Sequence, residues 1–166
     1  MLTRKARLLL SLTAATPLLF AGCTDNSLTN PLNNAAGTYQ LTVYAGRSVP
    51  ATYNIQPGDP AYPQYPNGAT FVVSDGTMVL NSNGTFLETN HYLFTPTGEA
   101  TQTAQFASSG TWTLNGEQFG FSAPAQNNNS ARNITGSLSV NVNGITTINY
   151  QESDGAGGFD SFEYQM

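Results

Sequence analysis

The fold class is decided by residues 133–151, which read NITGSLSVNVNGITTINYQ. Apolar or small residues alternate with polar ones as far as Asn143-Gly144, and a second extended segment follows that pair. A period of two indicates a β-strand with one buried face, and Asn-Gly is the strongest short hairpin signal. The stretch therefore predicts two antiparallel strands joined by a tight turn.

The same pattern extends over most of the chain, with further turn pairs at Asn83-Gly84, Thr97-Gly98 and Asn115-Gly116. It predicts eight strands, at residues 38–43, 70–80, 85–94, 99–115, 117–122, 133–142, 145–151 and 159–166. A break in phase at Ser74-Asp75-Gly76 indicates a β-bulge, and residues 52–55 are a further short extended piece. Because closure covers the apolar faces and removes sheet edges, we expect an all-β, single antiparallel eight-stranded up-and-down β-barrel. A β-sandwich is the alternative.

The N-terminus has the layout of a secretory signal. Arg4, Lys5 and Arg7 precede an apolar run over residues 8–20, and small residues lead to Cys23. This order of charged, apolar and small residues is typical of signal peptides. The apolar run is too short for a transmembrane helix, which needs about 20 residues.

Ala21-Gly22-Cys23 resembles the lipobox of bacterial lipoproteins, although Phe20 stands where the family prefers Leu. The resemblance implies that residues 1–22 are removed and that Cys23 receives lipid, which makes the membrane a partner. Ordinary cleavage would leave an unpaired thiol, which is unusual for a secreted chain. Residue 24 is Thr, whereas Asp there favours inner-membrane retention in Gram-negative lipoproteins. We therefore expect an extracytoplasmic protein of the bacterial cell envelope, at the outer membrane if the host is Gram-negative.

Residues 23–36 then form the lipidated cysteine and a polar, flexible spacer, and residues 37–166 form the barrel domain. After residue 22 the chain has two basic residues, Arg47 and Arg132, against ten acidic ones, so its net charge is 2 − 10 = −8. This charge argues against nucleic acid as a partner. One histidine, His91, cannot form a zinc site, and no Ser-Asp arrangement lies beside it in the sequence. We predict no enzymatic activity, no metal and no cofactor.

Four segments resemble the lipocalin-like domains of bacterial lipoproteins, and together they span most of residues 37–150. They are Gly37-Thr38-Tyr39 and residues 75–86, 110–116 and 136–140. Lipocalins have Gly-x-Trp at the first strand, where this chain has Tyr39. The resemblance implies an eight-stranded barrel, in some members with a ligand cavity.

Two functions follow from two possible phases of the third strand. In one phase the barrel holds a small apolar or amphipathic ligand, and the inward-facing candidates for contact are Glu88, Asn90, Tyr92, Gln102 and Trp112. Burying a carboxylate without a partner is costly, which favours the other phase, with Glu88 facing solvent. In that case the barrel is filled and acts through its surface as a structural or protein-interaction module of the envelope.

The proline-rich segment 46–69 is the candidate surface for such an interaction. It contains Tyr53, Tyr62 and Tyr65, and exposed tyrosines on a stiff loop suit recognition of a protein partner. The same side chains would alternatively cover one end of the barrel.

Overall fold

The computed structural model describes residues 34–125, 130–153 and 158–166. The predicted signal, Cys23 and most of the predicted spacer lie outside the described residues. The strands are β1 Gly37–Tyr44, β2 Arg47–Ser48, β3 Ala51–Ile55, β4 Ala69–Leu80, β5 Thr85–Pro96, β6 Gln102–Asn115, β7 Gln118–Ala123, β8 Arg132–Val140, β9 Thr146–Ser153 and β10 Phe159–Gln165. In the described part of the chain, no helix is long and apolar enough to cross a membrane.

The eight long strands form a closed antiparallel barrel, as predicted. Each strand from β4 to β10 pairs with the next, and β10 pairs with β1. The barrel closes because residues 37–40 of β1 pair with residues 77–80 of β4. One continuous sheet closed on itself is incompatible with two packed sheets, so the alternative of a sandwich is wrong.

The predicted bulge in β4 is confirmed and keeps the whole strand in the core. The register with β5 shifts between Val73 and Asp75. Val73 is buried before the shift, whereas Gly76, Met78 and Leu80 are buried after it. One extra residue exchanges the two faces of a strand. Without it, the second half of β4 would point its apolar side chains to solvent.

Two short strands lie beside the eight. The chain reverses after β1 at Ala45 and Gly46, both with positive φ, as a two-residue type I′ hairpin requires. This turn produces β2, which the sequence pattern does not reveal. The predicted extended piece at residues 52–55 is β3, and it pairs with residues 69–73 of β4. The free edge of β4 is thus shared between β3 and β1.

The two ends of the barrel differ. One end, here called the closed end, carries the turns at residues 81–84, 116–117 and 141–145 and the start of β1. Trp112 fills it: the indole is 2% exposed and donates a hydrogen bond to the Asn81 carbonyl at 3.0 Å. Tyr39 is also buried there and donates to the Ala35 carbonyl at 2.6 Å. The opposite end, here called the open end, carries the loop between β3 and β4, residues 56–68.

Candidate functional site

Glu88 lies inside the barrel. Phe86, Glu88 and Asn90 alternate on the buried face of β5, and the exposed fraction of Glu88 is 0%. The inward phase is therefore correct, and the expectation that Glu88 faces solvent is wrong.

Glu88 is stable in this position because every side-chain oxygen has a partner. Its Oε2 accepts a hydrogen bond from Arg132 Nη1 at 2.5 Å. Its Oε1 accepts from the Tyr150 hydroxyl at 2.5 Å, the Tyr164 hydroxyl at 2.8 Å and Asn90 Nδ2 at 3.1 Å. Tyr164 also lies 2.8 Å from Asn90 Oδ1, so its single proton is shared between two acceptors. A buried carboxylate is costly when it is unpaired, whereas Glu88 is paired and fully hydrogen-bonded.

Arg132 joins Glu88 to a second carboxylate. Its Nε and Nη2 donate to the two oxygens of Glu152 at 2.7 and 2.6 Å, the bidentate geometry that suits guanidinium. Its charge also lies over the rings of Phe106 and Phe121, 4.9 and 5.1 Å from their centroids. Burial lowers the pKa of Arg132, but the Glu152 hydrogen bond and the Glu88 charge outweigh it, so the net pKa is raised.

Sequence reasoning missed Arg132, although a signal for it exists. The residue is in phase with Ile134 and Leu138 on the apolar face of β8, and it is one of two basic residues after residue 22. A cation in phase with an apolar series implies a buried anion. Glu88, in phase with the apolar face of β5, is that anion.

Of the five residues predicted to contact an internal ligand, three lie together on β5 and two lie apart from them. Glu88 and Asn90 belong to the buried network, and half-buried Tyr92 follows them along β5 towards the open end. Gln102 is exposed at the start of β6. Trp112 lies at the closed end. That they bind a ligand stays a prediction.

The three tyrosines of the proline-rich segment do come together, at the open end. They border a cleft of about 360 Å³. Its lining residues are Tyr44, Tyr53, Ile55, Tyr62, Gln64, Tyr65, Phe71, Phe94 and Asp160. This volume is at the lower end of the range for small-molecule sites, roughly 300 to 1,000 Å³.

One wall of the cleft is a chain of linked β-turns. The amides of Asp59, Tyr62, Tyr65 and Gly68 each donate to the carbonyl three residues earlier, at 2.9 to 3.2 Å. Each of these turns has proline at its second position, at residues 57, 60, 63 and 66. Proline is favoured there because its fixed φ matches the turn. Proline at every third position from 57 to 66 thus fixes the backbone that carries Tyr62, Gln64 and Tyr65, without the help of a ligand.

The other walls come from strands that are distant in sequence. Tyr65 of the loop packs against Phe94 of β5, with ring centroids 4.3 Å apart. Tyr44 of β1 meets Tyr53 of β3 edge-on at 5.7 Å. Below them Phe71 stacks on Tyr92 at 5.4 Å. These contacts make the cleft predominantly aromatic.

Asp160, the second residue of β10, supplies the cleft with a carboxylate. Its Oδ2 accepts a hydrogen bond from the Tyr44 hydroxyl at 2.5 Å. Burial raises the pKa of Tyr44, and its hydrogen bond to Asp160 and the charge of that carboxylate raise it further. Tyr44 therefore stays protonated as a donor and fixes the orientation of the carboxylate.

His91 has a partner that the sequence did not reveal. Its Nδ1 lies 2.6 Å from Asp75 Oδ1 across the β4–β5 pair, on the exposed outer wall. Ser74 Oγ contacts Asp75 Oδ2 and donates to the His91 carbonyl, at 3.2 and 3.0 Å, but has no hydrogen bond to the imidazole. A serine oriented in this way is not placed for activation by the ring.

The described residues contain no cluster of three or more His, Cys, Asp or Glu that could hold a metal ion. Comparisons with known proteins give no match, whether with family models, curated sequences or solved structures. The fold class therefore rests on the strand pairing itself, and the resemblance to lipocalin-like domains stays a prediction.

The buried ion pair generates a stability prediction. We expect Arg132→Met to lower the free energy of unfolding by about 3–5 kcal/mol, because it leaves Glu88 buried without a counter-charge. The double variant Glu88→Gln/Arg132→Met should be less destabilised than the sum of the single variants, with a coupling of roughly 1–3 kcal/mol. Urea unfolding at pH 7 measures both. Arg47→Met, at an exposed arginine that contacts Tyr53 and the Thr52 carbonyl, is the control and should lower stability by about 1 kcal/mol or less. Additive effects would show that the two charges do not interact.

The buried tyrosines generate a pH prediction. Burial, followed by the Glu88 charge, raises the pKa of Tyr150 and Tyr164 well above 10 and that of Tyr92 to about 12. In the unfolded chain these groups ionise near pH 10. Their contribution to stability is therefore complete below pH 10 and is lost as the pH rises towards 12 and beyond.

Urea unfolding at intervals between pH 8 and 12 measures this loss, and no lysine after Lys5 contributes to the titration. Tyr92→Phe should make the fall of the unfolding free energy with pH less steep between pH 10 and 12, by about 1.4 kcal/mol per pH unit. An unchanged slope would contradict the assignment.

Proposed function

We propose that this chain is a lipid-anchored protein of the bacterial cell envelope whose barrel binds a small apolar or amphipathic ligand in the aromatic cleft at the open end. The observation that carries the binding part is the cleft, about 360 Å³ in volume and lined by six aromatic side chains among nine residues. Its wall of linked, proline-containing turns is ordered in advance, which lowers the entropic cost of binding.

The position of the cleft is consistent with a tether at Cys23. The described chain enters the barrel at Gly37, at the closed end, whereas the cleft lies at the opposite end. A lipid on the preceding segment would therefore leave the cleft facing the aqueous phase.

Exposed apolar side chains at the closed end support the same orientation. Val140, Val142 and Ile145 are exposed at the β8–β9 turn. Exposed Met166 lies close to Gly37, where the barrel begins. Apolar side chains at the end where the barrel begins suit contact with a membrane surface.

The second candidate function is a filled barrel that acts through its surface on an envelope protein. The Glu88 network favours it, because the middle of the barrel is occupied by hydrogen-bonded side chains. The half-exposed Tyr62 at the rim of the cleft would then contact a protein. The two candidates are separated by whether a small molecule saturates the cleft.

Lipid attachment is tested on the whole chain produced in a bacterium. We expect the mature protein to sit in the membrane fraction, with an intact mass corresponding to residues 23–166 plus acyl groups. Cys23→Ala should abolish incorporation of a labelled fatty acid. A soluble mature protein with a free thiol at Cys23 would contradict the tether and would leave the cleft proposal untouched.

Ligand binding is tested on lipidated protein in phosphatidylcholine nanodiscs, labelled with 3-fluorotyrosine at its eight tyrosines. We expect benzyl alcohol, a small amphipathic probe, to shift the 19F signals of cleft tyrosines in a saturable manner and to leave that of Tyr39 at the closed end unchanged. Tyr62→Ala/Tyr65→Ala removes one wall and should weaken binding about tenfold or more.

The control for this variant is Leu87→Ala, which removes an exposed apolar side chain from the outer wall and should leave binding unchanged. Empty nanodiscs correct for partition into lipid. If no tyrosine signal saturates, the cleft is not a small-molecule site, and the surface-acting barrel becomes the preferred function.

A further inference from the structure

We infer that the cleft selects a positively charged ligand, an organic ammonium group held against the tyrosine rings with Asp160 as its counter-charge. The inference rests on the proposed function and specifies the class of ligand. It depends on three features: the carboxylate in the cleft, the rings around it and the positions of the basic side chains.

The carboxylate of Asp160 is oriented but not neutralised. Within residues 34–125, 130–153 and 158–166, Tyr44 is its hydrogen-bond donor, and none of the salt bridges involves it. A neutral hydroxyl fixes the position of the carboxylate and leaves its negative charge in place. The cleft therefore contains a fixed charge with space beside it.

Of the three basic side chains in the described residues, two lie away from the cleft and the third is engaged at its edge. Arg132 pairs with two glutamates inside the barrel, and His91 pairs with Asp75 on the outer wall. Arg47 donates to the Thr52 carbonyl and lies over the Tyr53 ring, 4.6 Å from its centroid, but it is not among the residues that line the cleft. An anionic ligand such as a fatty acid would meet Asp160 without a lining cation to compensate.

The rings supply the second attraction for a cation. Tyr44, Tyr53, Tyr62 and Tyr65 line the cleft together with Phe71 and Phe94. The face of an aromatic ring is negative, and ammonium groups bind there, more tightly where water is excluded. Rings and carboxylate therefore favour the same sign of charge. The excess of acidic over basic residues after residue 22 attracts cations from solution as well.

Three probes of nearly equal size separate charge from shape. Benzylammonium, benzyl alcohol and benzoate carry a positive, no and a negative charge on the substituent of the same phenyl ring. With lipidated protein in phosphatidylcholine nanodiscs and 3-fluorotyrosine as reporter, we expect the cation to bind about tenfold more tightly than the alcohol. Benzoate should be the weakest of the three. Raising the salt concentration should weaken binding of the cation and leave the alcohol unaffected.

Asp160→Asn removes the charge and keeps an oxygen to accept the Tyr44 hydrogen bond. We expect it to bring the affinity for the cation to within about threefold of that for benzyl alcohol, because the charge pair contributes most of the preference. Glu117→Gln, at the turn of the closed end, makes the same change in net charge far from the cleft and should leave the preference intact. If Asp160→Asn is found unfolded, the native protein is used instead: binding of the cation that does not weaken with salt would overturn the inference.

Each outcome bears on one hypothesis. If none of the three probes saturates, the proposed binding function itself fails. If benzyl alcohol binds as tightly as the cation, the ring alone is recognised, and the inference of a charged ligand is overturned while the cleft remains a binding site. If benzoate binds most tightly and Arg47→Gln abolishes that binding, Arg47 is the selecting residue and the inference is equally overturned.

Discussion

The arrangement of this barrel depends on one buried carboxylate. Glu88 has no contact with solvent, and its hydrogen bonds reach Arg132 on β8, Tyr150 on β9 and Tyr164 on β10. These partners lie 44 to 76 residues further along the chain. Replacing such a network by apolar residues is often neutral or stabilising, and we infer that it contributes to the specificity of the strand register. A shift of β5 by one residue would expose Glu88 and leave Arg132 with only one of its two carboxylate partners, Glu152.

The same network determines where a ligand has room. It occupies the middle of the barrel, and Trp112 with its aromatic neighbours occupies the closed end. The rings continue from the network towards the open end: Tyr150 stacks on Phe162 at 4.7 Å, and Phe162 meets Tyr44 at 5.1 Å. Tyr44 is already part of the cleft. The floor of the cleft is therefore the upper surface of a packed core, and such a core resists deformation.

Local patterns predicted the path of the chain well, and they failed where distant residues meet. The glycines of the Asn83-Gly84, Asn115-Gly116 and Asn143-Gly144 turns all have positive φ, a backbone conformation that glycine adopts without steric cost. The burial of Glu88 does not follow from a local pattern, because its free-energy cost depends on Arg132, 44 residues further along the chain. β2 escaped prediction because a strand of two residues has no detectable period.

The cleft illustrates the same division between local and distant information. The composition of residues 46–69 points to Tyr53, Tyr62 and Tyr65, and the prolines at every third position from 57 to 66 specify the turns that hold the last two. Asp160 and Phe94 join them only because closure brings β10 and β5 to the same end. Each class of side chain then has one effect. The prolines fix the loop wall of the cleft, and the rings favour a flat or cationic ligand. The carboxylate of Asp160 favours a ligand of positive charge. Tyr44 both lines the cleft and donates the hydrogen bond that orients Asp160. The shape of the cleft and the position of its negative charge are therefore coupled through one hydroxyl, and a ligand that displaced the Tyr44 ring would disturb both.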